Sequence, residues 1–186
     1  MKNLDKVLQA LHNGELIAYP TESTWGLGVD ATQKNSVAAL NHLKGRPQSK
    51  SFIVLTHDLK KISSWIDWKL ISDKINPYDN WPGPITKVFP ASKDCPEWLV
   101  MQNTIAIRIS AHPVTQAICE EFDQPIISTS ANRSGESVLH DAAAIKQCFG
   151  DAVSAIASGK PGGLPPTQII CLRSGKVIRA ATPIKK

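Results

Sequence analysis

Four short apolar runs limit what this chain can fold into: Leu16-Ile17-Ala18-Tyr19, Phe52-Ile53-Val54-Leu55, Ile105-Ala106-Ile107-Arg108-Ile109 and Ile126-Ile127. Each has strand length, is built from aliphatic and aromatic residues, and is too short for a buried helix. Segments of helical period separate them. Leu4, Val7, Leu8 and Leu11 make one apolar stripe, and Val37, Leu40 and Leu43 another. Residues 113–122 begin with Pro113, which suits a helix's first turn, and residues 140–149 stop at Gly150. Strands interleaved with helices predict an α/β fold. Further strands are expected over 85–89 and 152–157, with a hairpin over 167–180 that turns at Arg173-Ser174-Gly175. A weak helical region is expected over 58–66, a helix over 69–75 and a mobile Gly/Pro-rich loop over 159–166. Trp65, Trp68 and Trp81 are expected to pack at the core or its edge.

Composition narrows the class. The 186 residues suit a single domain, read here as spanning 1–186, and 42% are hydrophobic, enough for a sizeable core. The net charge of +5 fits a polyanionic ligand, nucleotide or RNA, without choosing between them. The four cysteines are scattered, with no CxxC and no metal-ligand spacing, so free thiols in a cytoplasmic protein are expected and no protein-built metal site. The N-terminal stripe is amphipathic rather than a signal peptide, and no apolar run approaches membrane-spanning length. The chain lacks GxxxxGK[ST], GxGxxG and HExxH, so ATP chemistry here would need a less common cradle.

Polar residues concentrate where the apolar runs end. The first run leaves through Pro20-Thr21-Glu22-Ser23-Thr24-Trp25-Gly26-Leu27-Gly28, which reads either as a ligand-holding strand exit or as a turn that satisfies itself. Ile126-Ile127 leads to Ser128-Thr129-Ser130-Ala131-Asn132, at the kind of strand end where α/β sheets bind ligands. Arg108 is a charge in an apolar context, so it should be paired or ligand-facing. Lys44-Gly45-Arg46-Pro47-Gln48-Ser49-Lys50 gathers three cations able to converge on one polyanion, with a solvated basic loop as the plain alternative.

Together these blocks resemble the YrdC/TsaC family of threonylcarbamoyl-AMP synthases. Residues 20–28 resemble its PTET-x-[YF]-GLG stretch, and Lys44-x-Arg46 with Ser130-x-Asn132 its KxR…SxN signature. Trp81-Pro82-Gly83-Pro84-Ile85-Thr86, Ala106-Ile107-Arg108 with His112-Pro113, and the Ser128–Asn132 block follow in the family's order. The length matches the short bacterial form. The resemblance implies an open, twisted mixed β-sheet with flanking helices and a large basic concave surface. It also implies a nucleotidyltransferase that joins L-threonine, bicarbonate and ATP, with Mg2+, and releases pyrophosphate. A partner transferase complex would then modify tRNA.

By the same resemblance Lys44, Arg46, Ser130 and Asn132 carry the signature. Arg46, Lys50, Thr104, Ser130 and Arg179 face ATP, and Ser23, Arg108, Ser128 and Thr167 face threonine. Ser23 stands for the usual Thr and Trp25 for Tyr or Phe; Pro166-Thr167-Gln168-Ile169 departs from PSTI, and Arg179-Ala180-Ala181 lacks a glycine. On this reading Lys44→Ala or Arg46→Ala should collapse turnover with little loss of fold. The rivals are a double-stranded RNA or ribosomal-precursor RNA binding module without catalysis, and a different ATP-dependent carbamoyl or acyl transferase. RNA binding would fall steeply with salt.

Overall fold

The computed structural model describes residues 3–45, 52–73 and 75–181. In chain order the helices are α1 (Leu4–His12), α2 (Lys34–Lys44), α3 (Pro113–Phe122) and α4 (Ala142–Phe149). The strands are β1 (Ile17–Pro20), β2 (Trp25–Gly28), β3 (Ile53–Leu55), β4 (Ile85–Pro90), β5 (Thr104–Arg108), β6 (Ile126–Ser130), β7 (Ala155–Ile156), β8 (Gln168–Cys171) and β9 (Val177–Arg179). Among the described residues they form one open mixed sheet in the order β7-β1-β2-β6-β3-β5-β4-β8-β9. The pairs β1/β7, β3/β5 and β4/β8 are parallel, and the others antiparallel.

Strand β1 shows why both faces are covered. Its neighbour Leu16 and its own Ala18 join one core, while Ile17 and Tyr19 join the other, so alternate residues are buried on opposite sides. Val7, Ala10 and Leu11 of α1 meet Ile118, Cys119 and Phe122 of α3 over Ile17, Tyr19, Leu55 and Ile126. Burying a side chain such as Leu11 contributes about 2 kcal/mol. The second core collects Val37 and Leu40 of α2, Ile145 and Phe149 of α4, and Leu27, Val54, Phe89, Ile105 and Ile107 of the sheet. Local chemistry sets the helix ends: Pro113 opens α3, and the Asp141 carboxylate accepts from the Ala144 amide at 2.8 Å to start α4.

Three expectations change. First, residues 25–28 form a strand, not a loop. Two glycines weaken the sequence signal, yet β1 and β6 supply the ladders on either side. Gly28 is required by close approach: a Cβ there would lie 2.7 Å from the Ile127 carbonyl oxygen and 2.8 Å from the Tyr19 ring. Second, the helix expected over 69–75 reduces to one 3-10 turn, Trp68–Leu70, capped by Asp67. Ile71 is already extended and packs against the core in that conformation, so the helix ends after one turn. Third, residues 159–166 are tied down. The amides of Gly162, Gly163 and Leu164 donate to the carbonyls of Thr21, Ser23 and Glu22 at 2.9, 3.2 and 2.9 Å. Gly162 fits because a Cβ there would sit 2.6 Å from the Glu22 carbonyl oxygen. The strand expected over 152–157 survives only as β7. The tryptophans pack as expected: Trp81 stacks on Phe89 with ring centroids 6.0 Å apart, and Trp68 meets the same ring edge-on.

Candidate active site

The sheet's period of two builds the site. Thr104, Ala106 and Arg108 alternate along β5 and line one cavity. Ser128 and Ser130 of β6, Gly26 of β2, Ile53 of β3, Val88 of β4, Ile169 of β8 and Arg179 of β9 line the same cavity. Ladder partners such as Gly26 with Ser130, Ile53 with Ser128 and Ile169 with Arg179 explain how remote segments meet there. The cavity measures about 720 Å³, and Thr21, Ser23, Thr24 and Trp25 of the β1–β2 segment and Pro166 and Thr167 before β8 also line it.

Of the residues expected from sequence, Ser23, Thr104, Arg108, Ser128, Ser130, Thr167 and Arg179 all line this cavity. Arg46 and Lys50 lie outside the described residues. Lys44 and Asn132 stand behind the wall. Lys44 is 3% exposed, and its ammonium donates to the Ser130 and Asn132 carbonyls and, at 3.3 Å, to Asn132 Oδ1. The Ser130 hydroxyl donates to Asn132 Oδ1 at 2.6 Å, and Asn132 Nδ2 donates to the Glu136 carbonyl at 2.7 Å. Thus Lys44, expected as a cation reaching for a polyanion, is found as the anchor of the Ser130–Asn132 turn.

Two guanidiniums share the cavity. Arg108 is buried and its Nη2 donates to Glu22 Oε2 at 2.8 Å, a charge pair with both side chains nearly inaccessible. Its Nε is buried without a hydrogen-bond partner among the described residues. Arg179 donates through Nε and Nη2 to the Thr167 carbonyl at 3.0 and 2.7 Å, and Thr167 Oγ1 pairs with Thr86 Oγ1 at 3.1 Å. Burial, followed by the like charge of Arg108, lowers the Arg179 pKa below its ordinary value. Glu22 already balances the Arg108 charge, which leaves Arg179 as the cavity guanidinium without a carboxylate partner among the described residues.

The strand exit resolves both of its readings. Thr21 satisfies its own turn, with its hydroxyl donating to the Thr24 carbonyl at 2.7 Å, while Ser23 and Thr24 face the cavity. Trp25 forms wall and strut together: its indole N–H donates to the His140 carbonyl at 3.0 Å beside Val138, another lining residue. Sequence reasoning missed the pairing of Glu22 with Arg108, the Gln102 and Val138 walls, and Thr86. The alternation Thr104-x-Ala106-x-Arg108 was a readable signal for a shared face; the rest follow from strand order. His112 is the N-cap residue of α3, and its Nε2 lies 3.0 Å from the Lys160 carbonyl oxygen.

An open mixed sheet with a hydroxyl-rich cavity lined by two arginines, one of them paired with Glu22, defines an α/β protein with a polar pocket at its strand ends. Residues 9–181 match the Sua5/YciO/YrdC family model, whose description is "Telomere recombination". The chain belongs to this family. It is 37% identical to the threonylcarbamoyl-AMP synthase of Serratia proteamaculans, covering 93% of each chain. It is 38% identical to that of Xylella fastidiosa, covering 95% of this chain and 96% of the relative. Among solved structures, E. coli YciO superposes with a TM-score of 0.80 at 25% identity, covering 98% of this chain and 91% of that one. P. abyssi Sua5 in complex with L-threonine superposes at 0.77 and 26% identity, covering 92% of this chain. The chain spans about half of that Sua5, 51% of its length. Among the described residues no helix is long and apolar enough to cross a membrane.

Proposed function

We propose that this protein is a threonylcarbamoyl-AMP synthase, a cytoplasmic nucleotidyltransferase that makes threonylcarbamoyl-AMP and pyrophosphate from L-threonine, bicarbonate and ATP. The observation that carries the reading is one cavity of about 720 Å³ that gathers Arg108, Arg179, Ser23, Ser128, Ser130 and Thr167 in a chain of this family. Relatives of that name at 36–38% identity over nearly the whole chain support it.

The threonine carboxylate pairs with the guanidinium of Arg108, which lines the cavity. Ser23, Ser128 and Thr167 supply hydroxyls to the amine and side chain. The amine attacks CO2 derived from bicarbonate; an N–C bond forms, a proton leaves the nitrogen, and a carbamate results. A carbamate oxygen attacks the α-phosphorus of ATP as the bond from that phosphorus to the bridging oxygen breaks, and pyrophosphate departs with the electron pair. Such a transfer depends on in-line positioning and charge stabilisation more than on a strong base. Arg179, Thr104 and Ser130 hold the nucleotide side, and the Lys44–Asn132 turn fixes Ser130. By the family resemblance Arg46, a signature residue, and Lys50 serve the phosphates.

Mg2+ would arrive on the triphosphate. Among the described residues no three His, Cys, Asp or Glu side chains cluster to hold it, and the Glu22 carboxylate is already engaged by Arg108 and the Ala111 amide. The product passes to a transferase complex that modifies tRNA, and a basic surface would draw tRNA or double-stranded RNA as well. The test is pyrophosphate release from ATP and Mg2+ with and without L-threonine and bicarbonate, followed by mass analysis of the nucleotide. Release that needs both, with a threonylcarbamoyl-AMP mass, is expected. Release indifferent to threonine, or silence from a folded ATP-binding protein, would overturn the reading.

A further inference from the structure

Glu22 does not line the cavity, yet it makes three hydrogen bonds around it, one of them to the lining residue Arg108. Its Oε2 accepts from Arg108 Nη2 at 2.8 Å, and its Oε1 accepts from the Ala111 amide at 2.7 Å, just beyond β5. Its own carbonyl accepts from the Leu164 amide at 2.9 Å, in the segment that leads to Thr167. The residue is 6% exposed, so these contacts are made out of water, where a charge-assisted bond is strong and a missing one costly. Arg108 has a long, rotamer-rich side chain, and a buried carboxylate fixed at its own second oxygen is a rigid post for it. The guanidinium is held at Nη2 while Nε stays without a partner among the described residues. Arg108 also lines the cavity, so Glu22 holds a cavity-lining cation in place.

We propose that Glu22 is the positioning residue for amino-acid carboxylate recognition: by holding Arg108 Nη2 it presents the rest of the guanidinium to the substrate's carboxylate. The inference rests on the proposed placement of threonine at Arg108. It separates the sequence motif's carboxylate from general acid–base chemistry, because both of its oxygens are already engaged, by Arg108 and the Ala111 amide.

The test is calorimetric titration of the full chain with L-threonine, L-threoninamide and ATP separately, for wild type, Glu22→Gln and Glu22→Asp. Gln keeps the shape and an acceptor for Ala111 but removes the charge; Asp keeps the charge and retracts it by one methylene. Glu22→Gln is expected to weaken L-threonine about tenfold and to shrink the preference for threonine over its amide by a similar factor, with ATP affinity changed less than about twofold. Glu22→Asp should fall between wild type and Gln for threonine alone. Threonine binding by Glu22→Gln at or above wild-type strength overturns the proposal, because Glu22 would then be a bystander or a competitor for Arg108. Equal losses for threonine and ATP also overturn it, because they report general loosening. Should Glu22→Gln fail to fold, Glu22→Asp carries the same criteria. A wild-type protein that binds ATP but not L-threonine fails the functional reading itself, and with it this one, whatever the variants do.

Discussion

Replacing Lys44 by Met separates a substrate contact from a structural anchor. The sequence alone suggests a cation that turnover needs and the fold does not. In the structure the ammonium sits under the Ser130–Asn132 turn, donating to two carbonyls and to Asn132 Oδ1, at 3% exposure. Hydrogen bonds from a charged donor are worth about 1.5–3 kcal/mol each. Ser130 is exposed and Asn132 half-buried, so water recovers part of the loss at their carbonyls. A net cost of about 2–3 kcal/mol follows, with Met retaining the unbranched apolar stem. For a chain of this size each kcal/mol moves Tm by about 2–4 °C, so Lys44→Met should lower Tm by roughly 5–10 °C. ATP affinity should fall about tenfold as the turn bearing Ser130 loosens. Differential scanning calorimetry and an ATP titration on the same preparation measure both. A Tm within about 1 °C of wild type combined with lost turnover would refute the anchor and return Lys44 to the substrate.

Other substitutions probe the remaining geometry. Gly28→Ala places a Cβ 2.7 Å from the Ile127 carbonyl oxygen, between strands that cannot part, and should cost about 1–3 kcal/mol in denaturant unfolding. Gly162→Ala meets the Glu22 carbonyl oxygen at 2.6 Å, so residues 159–164 must lift; the threonine KM should rise several-fold while the ATP KM holds. Trp25→Phe removes the bond to the His140 carbonyl, and amide hydrogen exchange over residues 138–140 should accelerate with a Tm loss of about 2–4 °C. For thiols, burial pushes Cys95 up to about 11 and Cys119 up to about 12. Burial also pushes Cys171 up, but hydrogen bonds from Ser174 and Arg173 and the Arg173 charge outweigh it and leave the thiol below its ordinary value. A raised pKa means less thiolate, so iodoacetamide at pH 8 should label Cys171 first and reach Cys95 and Cys119 only on unfolding; early labelling of Cys119 would contradict the packing.

The local polarity of the site was legible because each strand and its exit are contiguous. Hydroxyls crowd behind Ile126-Ile127, an arginine breaks the apolar run at 108, and residues 20–28 hold hydroxyls, a carboxylate and an indole together. Apolar period gave α1, α2 and the β8–β9 hairpin for the same reason: each is specified within one turn of helix or one strand. Where the signal depended on a neighbour it failed. Strand β2 looked like a loop because its glycines answer to Tyr19 and Ile127, and residues 69–75 looked helical because Ile71 and Ile75 have helical spacing but reach the core from backbone that is extended at Ile71. What only the tertiary structure decided is which charge meets which partner. Glu22 with Arg108, and Lys44 with the Ser130 carbonyl, are each separated by 86 residues. A charge in water has no preferred partner at that range, and the order of strands in the sheet chose both by placing β2, β6 and β5 around one cavity and burying Glu22, Arg108 and Lys44 beside it.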